Sequence, residues 1–131
     1  MTANLFVRTE DFMALGGFDL AFDRPHFRED TDFAWRLLAR GEVPYRSDVR
    51  VFHPAQPRSI ERESLSARAR FFEKDALLFG KHPSRYLQLF KMEGHWTRTH
   101  GFWEHFLRGG RKYGVDLSDF HSFFRESLFR E

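Results

Sequence analysis

Three carboxylates crowd the stretch Glu29-Asp30-Thr31-Asp32, where a loop gives way to a helical apolar pattern. A carboxylate in such a place can act as a general base. Backbone N–H groups at a helix start hold it in one orientation and favour its charged form, while like-charged neighbours favour proton uptake. The two effects oppose each other in pKa, and the same residue types also serve simply as an N-cap and as partners of the helix dipole. By residue type alone, capping is the commoner role.

Other residues offer chemistry at lower specificity. Asp19 follows Gly16-Gly17-Phe18, a sequence suited to a sharp turn in which the glycines take positive φ, Phe18 plugs the core and Asp19 bonds the turn backbone. Arg36 stands four residues after Asp32, the spacing of an ion pair on one helix face; a diphosphate or acceptor carboxylate is its other possible partner. His53 ends an expected strand and offers an imidazole to a divalent cation, or is an ordinary strand-end residue. His95, His100 and His105 are spaced by five, about 140° apart around a helix, so they do not form a shared metal face. Trp96, Phe102, Trp103 and Phe106, near Arg98 and Arg108, suit aromatic core packing, with a membrane-surface or sugar-stacking face as the alternative.

The elements that must position these residues follow from pattern. Asn4 to Val7 is a short apolar run suited to a buried strand, and Thr9 caps a helix that stops at Gly16. A second helix carries Phe33, Ala34, Leu37 and Leu38 on one stripe and ends at Gly41. Val43 to Tyr45 and Val49 to Phe52 are two short extended runs, with Pro44 placing the first at an edge. Pro54 to Ser59 then forms an exposed crossing. Beyond it, helical spacing predicts a long amphipathic helix over Ile60 to Phe79, stopped by Gly80 and Pro83. Further helices are expected over Ser84 to Met92, Trp96 to Leu107 and Leu117 to Phe129, with a loop at Gly109 to Gly114.

Composition bounds the function. At 131 residues the chain affords a modest core, and an aromatic fraction of 18% must fill that core or leave apolar surface that wants a partner. A net charge of +2 from interspersed basic and acidic residues gives no electrostatic footprint for nucleic acid. The absence of cysteine removes disulfides and thiolate metal ligands and fits a reducing cytoplasm. No apolar run is long enough for a spanning helix or a signal peptide, so the expected location is cytoplasmic, with peripheral membrane attachment as a variant.

Taken in order, Asn4-Leu5-Phe6-Val7-Arg8, Gly16-Gly17-Phe18-Asp19, Glu29-Asp30-Thr31-Asp32, Arg36, Gly41 and His53-Pro54 resemble landmarks of the family 2 glycosyltransferases, which have the GT-A fold. The resemblance covers about the first 55 residues and implies the acceptor side of the enzyme. It makes Asp30 the catalytic base, with Glu29, Asp32 and Asp19 as acceptor or secondary contacts and His53 as a ligand for a divalent cation, Mn or Mg. It implies a nucleotide-sugar donor and a glycan, lipid or small-molecule acceptor. The Asp-X-Asp donor half of such enzymes has no counterpart here, nor does the Gln-X-X-Arg-Trp sequence of processive members, so non-processive transfer is the closer analogy.

The expected fold class is α+β and predominantly helical: a partial GT-A-type unit with a few short strands over residues 1–55, then a helical appendage over 56–131. An exposed sheet edge would favour a protein partner or self-association. The competing expectation is a non-catalytic module that pairs with a separate donor-binding chain or with itself.

Overall fold

The computed structural model describes residues 4–24, 26–52, 54, 70–93 and 101–122. The chain divides into two units, Met1–Arg62 and Glu63–Glu131.

In the first unit, α1 (Thr9–Ala14) and α2 (Glu29–Leu38) flank a loop that contains a 3-10 turn at Leu20–Phe22. Phe22 and Phe33 are buried. The Phe33 ring meets Phe12 at 5.3 Å and Phe18 at 5.0 Å, and Phe12 meets Phe18 edge-on at 5.9 Å, so three rings clamp the two helices and the glycine turn. Gly17 has φ +67°, and a Cβ there would stand 3.0 Å from the tip of the Phe12 ring. Both observations account for glycine at this position.

The expected short strands are not found: no strand occurs among the described residues. The GT-A-type α/β unit expected for residues 1–55 is therefore corrected to helices joined by irregular and extended chain. The physical reason lies in pairing. Residues 5–8 and 42–46 belong to no regular element, and Leu5 to Val7 and Glu42 to Tyr45 make no backbone hydrogen bond to any described residue. An apolar run specifies an extended backbone, but a sheet exists only where a neighbour completes the ladder. A side-chain tie joins residues that flank the two stretches instead, with Asn4 Nδ2 donating to the Val49 carbonyl at 2.9 Å.

The second unit is helical. It contains α3 (Phe72–Lys81), α4 (Pro83–Glu93) and α5 (Phe102–Tyr113), and residues 118–122 are helical as well. Gly80 does not stop α3, which continues to Lys81; His82 breaks it, and Pro83 opens α4, where its fixed φ and missing N–H carry no penalty. Residues 60–69, 96–100 and 123–129, parts of three expected helices, lie outside the described residues, among them Trp96, Arg98 and His100, and so does His95. Phe102 and Phe106, the buried part of the aromatic run, are core: Phe106 lies 5.3 Å from Phe102, 4.7 Å from Phe120 and 6.1 Å from Tyr86.

The loop expected at Gly109 to Gly114 is helix up to Tyr113. Two adjacent glycines cost a helix about 1 kcal/mol each relative to alanine, but close packing overrides that preference. A Cβ on Gly109 would fall 2.4 Å from the Glu73 carbonyl oxygen, so only glycine lets α5 press against α3. At this contact Lys112 Nζ donates to Glu73 Oε2 at 2.8 Å, and His105 Nδ1 stands 3.7 Å from Glu73 Oε1. Burial raises the pKa of the Glu73 carboxyl, but the hydrogen bond and charge of Lys112, with the nearby His105 adding to them, outweigh it and hold the group below its ordinary value. The hydrogen bond to Glu73 in turn raises Lys112, against the lowering effect of desolvation.

Two outcomes are expected. Gly109→Ala should destabilise the second unit by about 1–3 kcal/mol, read as a lowered thermal midpoint, because α5 must move off α3. Glu73 has a depressed folded pKa, so its contribution is present above its unfolded pKa and is lost as pH falls through the folded value. The destabilisation caused by Lys112→Met should accordingly shrink as thermal melts are taken from about pH 6 to about pH 3.

Candidate functional site

The first turn of α2 holds Glu29, Asp30 and Asp32, as the spacing predicts, with the helix dipole favouring all three carboxylates. Arg28, immediately before the helix, has φ +70° and offers no side-chain cap. A non-glycine residue in the left-handed region costs about 1–2 kcal/mol, so the turn into α2 is held by what surrounds it. The Arg28 carbonyl accepts the Asp32 N–H at 2.9 Å, closing the first helical turn.

The three acids have different surroundings. Asp30 is half-buried, and its Oδ1 accepts both the Thr31 N–H at 2.7 Å and the Thr31 hydroxyl at 3.2 Å, which orients the carboxylate. Glu29 Oε2 is buried and has no hydrogen-bond partner. A carboxylate oxygen in that condition carries an unrecovered desolvation cost, which a donor from a bound molecule would relieve. Asp32 is fully buried and bonded to Arg36, turned away from the other two in function.

Arg36 bonds in three directions. Its Nε donates to Asp32 Oδ2 at 2.8 Å, Nη1 to the Leu15 carbonyl at 2.7 Å and Nη2 to the Gly17 carbonyl at 2.8 Å. The i,i+4 pair was legible in the sequence, whereas the two carbonyl contacts, about twenty residues away in the chain, were not. A planar guanidinium can serve three acceptors at once in fixed geometry, and this one ties the C-terminal end of α1 and its glycine turn to α2.

That tie brings Phe18 and Asp19 up to Glu29 and Asp30. These four, with Leu20, Asp23, Arg24 and His26, line a cleft of about 490 Å³. Asp19 bonds its turn as expected, with Oδ1 accepting the Ala21 N–H at 2.8 Å at the head of the 3-10 turn. His26 Nε2 lies 3.1 Å from Asp23 Oδ1, and the Arg24 N–H donates to the same oxygen at 2.9 Å. The sequence alone assigned Asp23 and His26 no role. Their three-residue spacing across a turn was the available signal.

Of the expected site residues, the structure thus gathers Asp19, Glu29 and Asp30 on one cleft and sets Asp32 behind them as a structural anion. His53 lies outside the described residues. Among the described residues no group of three or more His, Cys, Asp or Glu side chains is arranged to hold a metal ion. No described helix is long and apolar enough to cross a membrane. Comparison with protein-family models, with curated proteins and with solved structures returns no match to this chain.

Removing the guanidinium should release this arrangement. Arg36→Met leaves the buried Asp32 charge without its cationic partner, an expected cost of about 3–5 kcal/mol, and adding Asp32→Asn should recover part of that loss. Denaturant titration together with amide exchange at Gly17 and Asp19 is the measurement; exchange there should rise in the single variant.

Proposed function

We propose that the acidic cleft is the acceptor side of a glycosyltransferase-like reaction, with Asp30 as general base. The observation that carries this reading is that an oriented carboxylate, Asp30, lines the same cleft as Glu29, whose Oε2 is buried and unpartnered. A polyhydroxylated acceptor suits both. One hydroxyl donates to Glu29 and is held in place, while the reacting hydroxyl lies against Asp30.

The chemistry balances as a single displacement. The acceptor oxygen bonds to the anomeric carbon as Asp30 takes its proton, and the bond from that carbon to the diphosphate oxygen breaks, so the nucleoside diphosphate leaves with the electron pair. In this reading Asp19 lines the same cleft as a secondary contact. A divalent cation and a role for His53 belong to the reading only through the family resemblance. The order of motifs along residues 4–54 and the gathering of Asp19, Glu29 and Asp30 support it.

A second reading, a binding module without chemistry, is favoured by the main chain of residues 5–7 and 42–45, which meets no hydrogen-bond partner among the described residues. The two are separated by titrating the chain calorimetrically with nucleoside diphosphates and nucleotide sugars, with and without manganese, and by following nucleoside diphosphate release when simple sugars are added. Transfer that falls by about 10²–10⁴-fold in Asp30→Asn, with the thermal midpoint kept, is the expected result. Turnover indifferent to Asp30→Asn, or neither binding nor turnover with any donor, would sink the transferase reading in favour of the module.

A further inference from the structure

A second and larger cleft, of about 640 Å³, is lined by two irregular stretches of the first unit, residues 4–8 and 40–49; Leu5, Phe6, Val7, Val43, Tyr45 and Val49 supply its apolar lining. Exposure alternates along residues 4–8, with Leu5 and Val7 half-buried and Asn4, Phe6 and Arg8 exposed, which is the two-residue period of a strand. The backbone N–H and C=O groups of Leu5 to Val7 meet no partner among the described residues, and the same holds across the cleft for Glu42 to Tyr45, where Pro44 offers a carbonyl only. Main chain in this state is a template for another strand.

Large side chains stand open beside that template. Phe6 is 78% exposed and Tyr45 92%, and the stretch continuing from Val49 carries Phe52 at 91%. Fully covered, an aromatic side chain buries about 150–250 Å², so these three offer roughly 400–650 Å² per chain. Paired face to face, two identical surfaces would bury roughly 800–1,300 Å² from the rings alone, and the valines bring the sum into the range of about 1,200–2,000 Å² typical of stable interfaces. The charges around the cleft are of both signs: Arg8, Arg40 and Arg46 stand among Asp11 and Glu42. A copy of the same face therefore meets complementary charges as well as like ones, and an isologous contact is not opposed by net repulsion.

We propose that this cleft is a self-association surface, in which the 4–8 segment of one chain lies antiparallel to that of a second copy and completes the ladder that each lacks alone. The inference does not depend on the transferase reading, because none of its residues lines the acidic cleft.

The test is sedimentation equilibrium of the full chain across the micromolar range, for the natural sequence and for Phe6→Asp, Tyr45→Asp and Met13→Asp. Both cleft positions are exposed, so their variants should keep the natural circular dichroism. Met13 is exposed on α1, outside the cleft, and controls for general surface stickiness. A dimer whose dissociation constant rises at least tenfold in Phe6→Asp and Tyr45→Asp, and is unchanged in Met13→Asp, is the expected result. A monomer at every concentration overturns the proposal and assigns the cleft to a strand of a different chain. A dimer indifferent to the two cleft variants, or equally weakened by Met13→Asp, overturns it too.

Discussion

The guanidinium of Arg36 is the interaction on which the first unit depends. It meets a buried aspartate and two main-chain carbonyls at 2.7–2.8 Å, and in doing so sets the distance between the end of α1 and the start of α2. A small unit with few buried rings has little apolar area with which to hold a loop in place. Directional, charge-assisted bonds to carbonyls left over at a helix end do that work here, and they satisfy groups that would otherwise lack partners. The Phe12, Phe18 and Phe33 rings then pack across the joint that the guanidinium has closed.

The acidic cleft inherits its shape from that joint. Asp32 sits in the same turn of helix as Glu29 and Asp30, yet burial against Arg36 makes it part of the scaffold. Neighbouring carboxylates of one sequence motif are thus divided between structure and surface by which way the helix turns each of them. The left-handed backbone at Arg28, immediately before the cleft residue Glu29, adds a local cost of the kind that surrounding structure must sustain.

The second unit solves a different problem, that of bringing helices close enough for rings to interlock. Gly109 removes the side chain where α5 meets the Glu73 backbone, and the neighbouring Lys112 and His105 then face the Glu73 carboxylate. Contact between backbones and a partly buried ion pair arise together at one crossing. The ion pair restores a partner to a carboxylate that the close approach has desolvated.

Much of this was written locally. Helical periods, the acidic start of α2, the pairing of Arg36 with Asp32 and the turn bond of Asp19 all involve residues a few positions apart, where backbone geometry alone determines which groups meet. The apolar runs near residues 4–7 and 43–52 likewise specified an extended chain, but not a sheet, because a ladder depends on a second stretch of main chain arriving at the right distance. Gly109-Gly110 read as a loop because helix propensity is a weak local preference; the Glu73 backbone pressed against it decided for helix. The carbonyls of Leu15 and Gly17 became ligands of Arg36 only once α1 and α2 had docked. By itself, then, the sequence determined where most of the helical runs of the described regions lie, though not all their ends, and the chemical character of the cleft. Tertiary packing decided which carboxylate is buried and which glycines are helical, because those outcomes depend on groups that only folding brings within bonding distance.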